Sequence, residues 1–230
     1  MQPAVINTTS MKEALYNLYR EKQPLFRSVV KRFPFDDLAG PFLMSPDSNF
    51  RAQALPLLVV GQETSGWTSN VEEIDKQMNV YEEFHAGKSK GYSAFWDNIR
   101  KMEALLGNDQ FSTAWTNLSK FDLYGIRSYG KYEKAFATAD AILAEEVRIV
   151  NPGMCMFFTG PYFDTRLKAV FEGLEFIEIP GWNLKQFCVL RHPSLPDLSF
   201  RSYHPRSLKL KNLEKNFLSY MSQIGAKART

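Results

Sequence analysis

Three apolar segments, each followed by a turn and later by a helical pattern, constrain the fold of this chain more than any other feature. They are LPLLVV at 55–60, FSTAWTNLSKF at 111–121 and MCMFFTG at 154–160. Alternating strands and helices are typical of parallel strands joined by right-handed crossovers. Buried parallel strands are also nearly continuous apolar runs. The sequence therefore predicts an α/β sandwich.

The chain has 230 residues, a length that suits one domain with a sizeable core. Residues 10–33 carry apolar side chains at helical spacing on both sides of Pro24, which predicts two short helices. We therefore predict a single domain over residues 1–230, in which residues 1–50 form a helical N-terminal extension packed on the core. Residues 206–224 are predicted to form a closing helix, and shorter strand candidates lie at 174–180, 185–192 and 198–205.

Charge and cysteine content indicate the compartment and the kind of partner. Cys155 and Cys188 lie in apolar stretches without metal-ligand spacing, which favours buried thiols in a reducing compartment. The N-terminus has no signal pattern, and no apolar run approaches the ~18 residues of a membrane helix. We predict a cytoplasmic protein that does not enter a membrane. The net charge is only +3, but Arg191 to Lys215 is locally basic, as expected of a phosphate-facing surface or of a solvated helix face.

Polar side chains follow the predicted strands, and the carboxyl ends of parallel strands meet at one edge of a sheet. They are Gln62, Glu63 and Thr64 after the first strand, Asn117 after the second, Thr159 and Gly160 after the third, and Tyr203, His204, Pro205 and Arg206 after the last. A carboxylate can orient water beside an oxocarbenium-like charge, and a histidine can stabilise a departing oxygen. An asparagine can recognise the edge of a base. The set suits hydrolysis of a glycosidic bond to a base.

Two residues beside this set would shape such a site. Gly61 would let backbone and base approach closely, and Trp67 could stack on the base. Each residue also has an ordinary structural explanation. Glu63 can cap the following segment, Asn117 can be a turn residue, and Trp67 can belong to the core. The individual residues leave both explanations open.

Taken in order, these segments resemble the motifs of the uracil-DNA glycosylase superfamily. VVGQETSGW at 59–67 is similar to the family's first motif, a strand followed by Gly-Gln-Asp-Pro-Tyr-His. Gly61 and Gln62 match it, and Glu63 stands where the family has its water-positioning aspartate. Asn117, in WTNLSKF, falls where the family has its base-recognising asparagine. These matches imply that the first two strand ends form a base pocket.

A second stretch, SYHPRSLKL at 202–210, resembles the family's His-Pro-Ser-Pro-Leu motif. The resemblance implies that His204 contacts the base oxygen and that Leu208 probes the DNA helix. It spans roughly residues 55–215 and implies a three-layer α/β/α sandwich around a central, mainly parallel four-stranded sheet. It also implies DNA, single- or double-stranded, as the partner. No metal, cofactor or obligate protein partner is expected.

The chain departs from the family pattern at four positions. Thr64 and Ser65 replace the Pro-Tyr pair, so uracil selectivity does not carry over. Glu63 is one methylene longer than aspartate. Arg206 stands where the family has serine and could grip a phosphate, as could Lys209. A second His-Pro-Ser begins at His192, so the motif histidine is His204 or His192; the leucine and the helix after it favour His204.

These features lead to one principal prediction and two alternatives. We predict a DNA glycosylase-like protein that hydrolyses the N-glycosidic bond of a flipped uracil-like or damaged base. Its catalytic residues would be Glu63 and His204, its substrate-binding residues Gly61, Gln62, Thr64, Trp67 and Asn117, and its nucleic-acid-binding residues Arg206, Leu208 and Lys209. The alternatives are a catalytically inactive nucleic-acid- or nucleotide-binding module on the same fold, and a hydrolase of small nucleosides.

Overall fold

The computed structural model describes residues 8–34, 36, 38–88, 93–124 and 128–228. Residues 1–7 of the predicted N-terminal extension lie outside this part of the chain. The elements in chain order are α1 (Thr8–Lys31), β1 (Leu38–Ala39), α2 (Ser48–Ala52), β2 (Leu57–Gly61), α3 (Ile74–Phe84), α4 (Ala94–Leu106), β3 (Ala114–Asn117), β4 (Asp122–Leu123), α5 (Lys131–Phe136), α6 (Ile142–Val150), β5 (Met154–Phe157), α7 (Asp164–Val170), β6 (Glu175–Glu178), β7 (Phe187–Arg191), β8 (Leu198–Ser202), α8 (Pro205–Leu210) and α9 (Glu214–Ala228).

The central sheet is mainly parallel and makes the protein an α/β protein. Its strand order is β3-β2-β5-β8-β7-β6. The pairs β2–β3, β2–β5 and β5–β8 are parallel, whereas β7 runs antiparallel to both β8 and β6. The predicted strand number of four is wrong, because the sheet has six strands within the described residues. The two additional strands form a hairpin at the edge, and an antiparallel pair needs no helical crossover.

Helices cover both faces of this sheet, which gives three layers. Successive residues of a strand point to opposite faces. Phe157, the last residue of β5, packs against Phe171 just after α7, whereas the next residue, Phe158, packs against Phe217 of α9. Helix α4 packs on α8 and α9, and α1 packs on α6. The free edge of β3 is also covered, because the Tyr81 hydroxyl of α3 accepts the Trp115 N–H at 2.9 Å.

Two helices differ from the predictions. The expected break at Pro24 is wrong: α1 continues through it, and residues on both sides, including Leu18 and Phe26, are buried against the core. The predicted closing helix is interrupted instead, by a turn in which Asn212 adopts a left-handed φ of 57°. Asparagine tolerates this conformation better than most residues. None of the helices in the described part of the chain combines the length and the apolar character that crossing a bilayer requires.

A buried ion pair joins the end of β3 to α6. Lys120 donates from Nζ to Glu146 Oε2 at 2.6 Å, to Thr116 Oγ1 at 2.8 Å and to the Asn117 carbonyl at 3.0 Å. The Tyr19 hydroxyl donates to the other oxygen of Glu146 at 2.8 Å. Burial lowers the pKa of Lys120, while the charge of Glu146 opposes that shift. The cluster holds the backbone at Asn117, where β3 ends.

Candidate functional site

A cavity of about 470 Å³ opens at the carboxyl ends of β2 and β3. This volume lies within the range of sites for small ligands. Glu63, Asn117 and His204, which the sequence places after three different strands, all line it. The other lining residues are Gly61, Gln62, Thr64, Ser65, Gly66, Trp67, Thr68, Val80, Phe84, Ser93, Phe95, Trp96 and Trp115. The structure therefore brings a carboxylate, an amide and an imidazole into one space.

Asn117 and Gly61 are paired neighbours at the ends of β3 and β2. A Cβ atom at Gly61 would overlap the Asn117 Oδ1, so only glycine leaves room for this amide. Asn117 is 1% exposed, and its Nδ2 has no hydrogen-bond partner among the described residues. Buried donors in proteins nearly always have a partner. An unpaired amide on a cavity wall is therefore suited to a ligand.

The loop after β2 is held by its own side chains. Gln62 donates from Nε2 to the Thr159 carbonyl at 2.7 Å, which ties the ends of β2 and β5 together. The Thr64 hydroxyl donates to the buried carboxylate of Asp122, and the Gly66 N–H donates to the same group at 3.1 Å. Asp122 was not among the residues predicted from the sequence. Gln62 and Thr64 thus line the cavity, but the Gln62 amide nitrogen and the Thr64 hydroxyl are hydrogen-bonded to other groups of the protein.

Glu63 is positioned by the chain that follows β4. Its two carboxylate oxygens accept the Ser128 N–H at 3.1 and 3.3 Å. This backbone donor fixes the orientation of the carboxylate. The contact joins residues that are 65 positions apart in the chain. No local pattern in the sequence indicates Ser128, and only the fold shows that it orients Glu63.

His204 is the N-cap of α8. Its Nδ1 accepts the Arg206 N–H at 3.2 Å, and its ring stacks on Phe95 with a centroid distance of 5.8 Å and an interplanar angle of 17°. Burial, and secondarily the positive charge of Arg206, lower the pKa of His204 from its ordinary value of 6.5 to about 4. The imidazole is therefore neutral at pH 7. Because Nδ1 is an acceptor, Nε2 carries the proton.

Five aromatic residues form much of the cavity wall: Trp67, Phe84, Phe95, Trp96 and Trp115. Trp67 is largely buried and makes edge-to-face contacts with Phe84 and Trp115 at centroid distances of 5.5 and 5.8 Å. It is thus a part of the aromatic core that also borders the cavity. The indole N–H groups of Trp67 and Trp115 have no partner among the described residues. Of the five, only Trp67 was predicted from the sequence to contact the base; the others belong to α3, α4 and β3, which the fold brings together here.

The two His-Pro segments, at 192–193 and 204–205, lie at opposite ends of the sheet. His192 follows the antiparallel strand β7, so it lies at the amino ends of the parallel strands. There its Nδ1 accepts the Ser194 N–H at 3.1 Å, and its Nε2 lies 3.0 Å from the Glu172 carbonyl. His204 follows β8 and borders the cavity. The structure therefore places His204, and not His192, with Glu63 and Asn117.

The predicted DNA-contacting residues differ in accessibility. Arg206 is exposed in the first turn of α8. Lys209 binds Asp97 of α4 at 2.9 Å and lies 3.9 Å from Glu214. The expectation for Leu208 needs correction: its side chain is fully buried, because α8 packs this face on the core. Leu210, by contrast, is 76% exposed.

Comparison of the chain with protein-family models gives no match, and comparison with curated proteins gives none either. The fold and the cavity by themselves define an α/β protein with a mainly parallel sheet flanked by helices and a ligand-sized cavity at the carboxyl ends of the strands. This is the usual position of ligand sites in such sheets. The function therefore has to be inferred from the chemistry of the cavity.

Proposed function

We propose that the protein hydrolyses the N-glycosidic bond of a uracil-like or damaged base that enters the cavity from DNA. One observation carries the proposal: Glu63, Asn117 and a neutral His204 border the same cavity. Aromatic walls of this kind suit a planar base, and the volume of about 470 Å³ accommodates it. The motif resemblance in the sequence supports the same reaction.

Glu63 and His204 each have a chemical part in this reaction. Glu63 holds a water molecule and offsets the positive charge that develops on the sugar. The water oxygen bonds to C1′ as the C1′–N bond breaks, and the electron pair leaves with the base. Glu63 accepts the proton that the water loses, and this proton then passes to the departed base, so that the products are the sugar hydroxyl and the free base. The Nε2–H of His204 donates to the base oxygen on which negative charge collects. The neutral imidazole is sufficient for this role, because its Nε2 still carries a proton and donates a hydrogen bond although the ring has no charge.

The polar groups of the cavity favour a base with carbonyl oxygens. Asn117 Nδ2, Trp115 Nε1 and the protonated Nε2 of His204 are all donors on residues that line it. A base with an exocyclic amino group would present a donor to these donors, and unpaired buried polar groups cost about 1–3 kcal/mol each. Deamination converts such amino groups to carbonyls. Deaminated bases are therefore the proposed substrates.

Base release can be tested with oligonucleotides that carry uracil, hypoxanthine or xanthine, as single strands and as duplexes. We expect abasic sites from at least one of these bases and none from unaltered DNA. The absence of abasic product from all of them would refute the proposed activity. Salt-dependent DNA binding without product would then indicate a binding module, and a preference for free nucleosides would indicate a nucleoside hydrolase.

The low pKa of His204 predicts how its ring titrates. We expect an NMR titration to show a midpoint at about pH 4, with the proton on Nε2 at pH 7. The unfolded chain, with the ordinary pKa of 6.5, binds this proton first. The stability of the wild type should therefore fall relative to His204→Gln as the pH decreases from 6.5 to 4. His204→Gln also assigns the signal, and a midpoint near 6.5 would contradict the prediction.

A further inference from the structure

Few large apolar side chains are exposed among the described residues, and the three rings among them stand on the segments that follow β4 and β5. These exposed side chains are Tyr124, Tyr129 and Tyr162, which are 68, 66 and 60% exposed, and Leu210. Single exposed apolar residues are common on proteins. Three exposed tyrosines on the segments after β4 and β5 are less common, and exposed aromatic side chains of this kind indicate a surface that binds a partner. We refer to Tyr124, Tyr129 and Tyr162 as the tyrosine rim.

Each residue of the tyrosine rim is close to the cavity, either in space or along the chain. A Cβ atom on Gly66, which lines the cavity, would lie 3.4 Å from the Tyr124 ring. Tyr129 follows Ser128, whose N–H orients Glu63. Tyr162 lies three positions after Thr159, whose carbonyl accepts from Gln62. The three tyrosines therefore stand on the segments after β4 and β5, and these segments contact the cavity-lining residues Gly66, Glu63 and Gln62.

Basic side chains accompany these rings. Lys131 and Lys134 of α5 are exposed, and α5 lies beside Tyr162, whose hydroxyl donates to Glu133 at 3.1 Å. Arg206 and Lys211 are exposed on the other side, after β8. Exposed rings and cations together complement a chain of bases and phosphates, because bases stack on aromatic rings while phosphates pair with lysine and arginine.

We propose that the tyrosine rim binds single-stranded DNA by stacking on unpaired bases next to the base in the cavity. In a duplex the faces of neighbouring bases are already stacked on each other, so exposed tyrosines cannot reach them. A base in a single strand also enters the cavity without the cost of unpairing. Leu208 is buried and cannot enter a duplex in place of the extruded base. The proposal for the tyrosine rim rests on the proposed function in one respect: the single strand that binds the rim also delivers one of its bases to the cavity.

The test is fluorescence anisotropy with a labelled oligonucleotide of unaltered bases, as a single strand and as a duplex. We expect the wild type to bind the single strand more tightly. Each of Tyr124→Ala, Tyr129→Ala and Tyr162→Ala should weaken that binding by about fivefold or more, as expected for the loss of one stacked base. The matched Tyr→Phe variants keep the ring and should bind as the wild type does. Thermal unfolding of each variant checks that it is folded.

Charge variants test the phosphate contacts separately. Arg206→Ala and Lys211→Ala should each reduce the slope of log affinity against log salt concentration by about 1, the change expected when one phosphate contact is lost. Arg148→Ala, on the exposed surface of α6 at the opposite edge of the sheet, should leave this slope unchanged. Equal affinity for duplex and single strand, or Tyr→Ala variants with wild-type affinity, would overturn the proposal. Because the probe contains no altered base, this result does not depend on base release. Tight tyrosine-dependent binding of this probe, together with no abasic product from any oligonucleotide that carries uracil, hypoxanthine or xanthine, would refute the proposed enzyme and leave this surface standing.

Discussion

Glu63→Gln is expected to lower the rate of base release by about 10²–10⁴-fold, the usual contribution of a positioned acid–base group. Glutamine has nearly the same shape and keeps an oxygen that can accept the Ser128 N–H, which Glu63 now accepts at 3.1 Å. What it removes is the negative charge. If that charge orients water and offsets the cation at C1′, the chemical step should slow while DNA binding remains. Single-turnover rates with the best substrate of the oligonucleotide panel measure the effect.

Two further variants make this result specific. Glu172→Gln removes a charge from an exposed position on the turn before β6 and should leave the rate unchanged. Glu63→Asp keeps the charge but withdraws the carboxylate by one methylene, so its rate reports whether the cavity is built for the longer side chain. A wild-type rate for Glu63→Gln would show that Glu63 has no part in the chemistry.

Glu146→Ala is expected to reduce the free energy of unfolding by about 3–5 kcal/mol, the usual cost of removing one partner of a buried ion pair. Glu146 and Lys120 are both fully buried, and their charged atoms lie 2.6 Å apart. Without the carboxylate, Lys120 has to lose its proton or remain as an unpaired charge in the core. Tyr19 and Thr116 lose their acceptor as well. Urea denaturation of the two proteins measures the difference.

The neighbouring Glu145 provides the control. Its side chain is 37% exposed and pairs with Lys22 at 3.0 Å, so Glu145→Ala should cost less than about 1 kcal/mol. The double variant Lys120→Met with Glu146→Leu removes both charges, and it should recover much of the loss, because apolar replacements of buried pairs are often neutral. A cost below about 1 kcal/mol for Glu146→Ala would contradict the prediction.

The elements that sequence analysis located are those with a strong local pattern. The strands β2 and β5 are continuous apolar runs, and α4 carries Phe95, Ile99, Met102 and Leu106 on one face with Gly107 as its C-cap. The helix boundaries were less predictable. Pro24 usually ends a helix, but packing on both sides holds α1 together. The turn at Asn212 has no strong local signal, since asparagine also occurs in helices.

The sequence alone determined that Glu63, Asn117 and His204 lie at or just after the ends of strands of a mainly parallel sheet, because apolar periodicity and the chain order of the motifs are local properties. Only the tertiary structure decided that Leu208 is buried, that Asp122 and Ser128 hold the loop and the carboxylate, and that aromatic residues of three elements share one wall. These contacts join residues tens of positions apart in the chain. They depend on how α4, α8 and the segment after β4 pack at the sheet edge, and this packing leaves no periodic pattern in the chain.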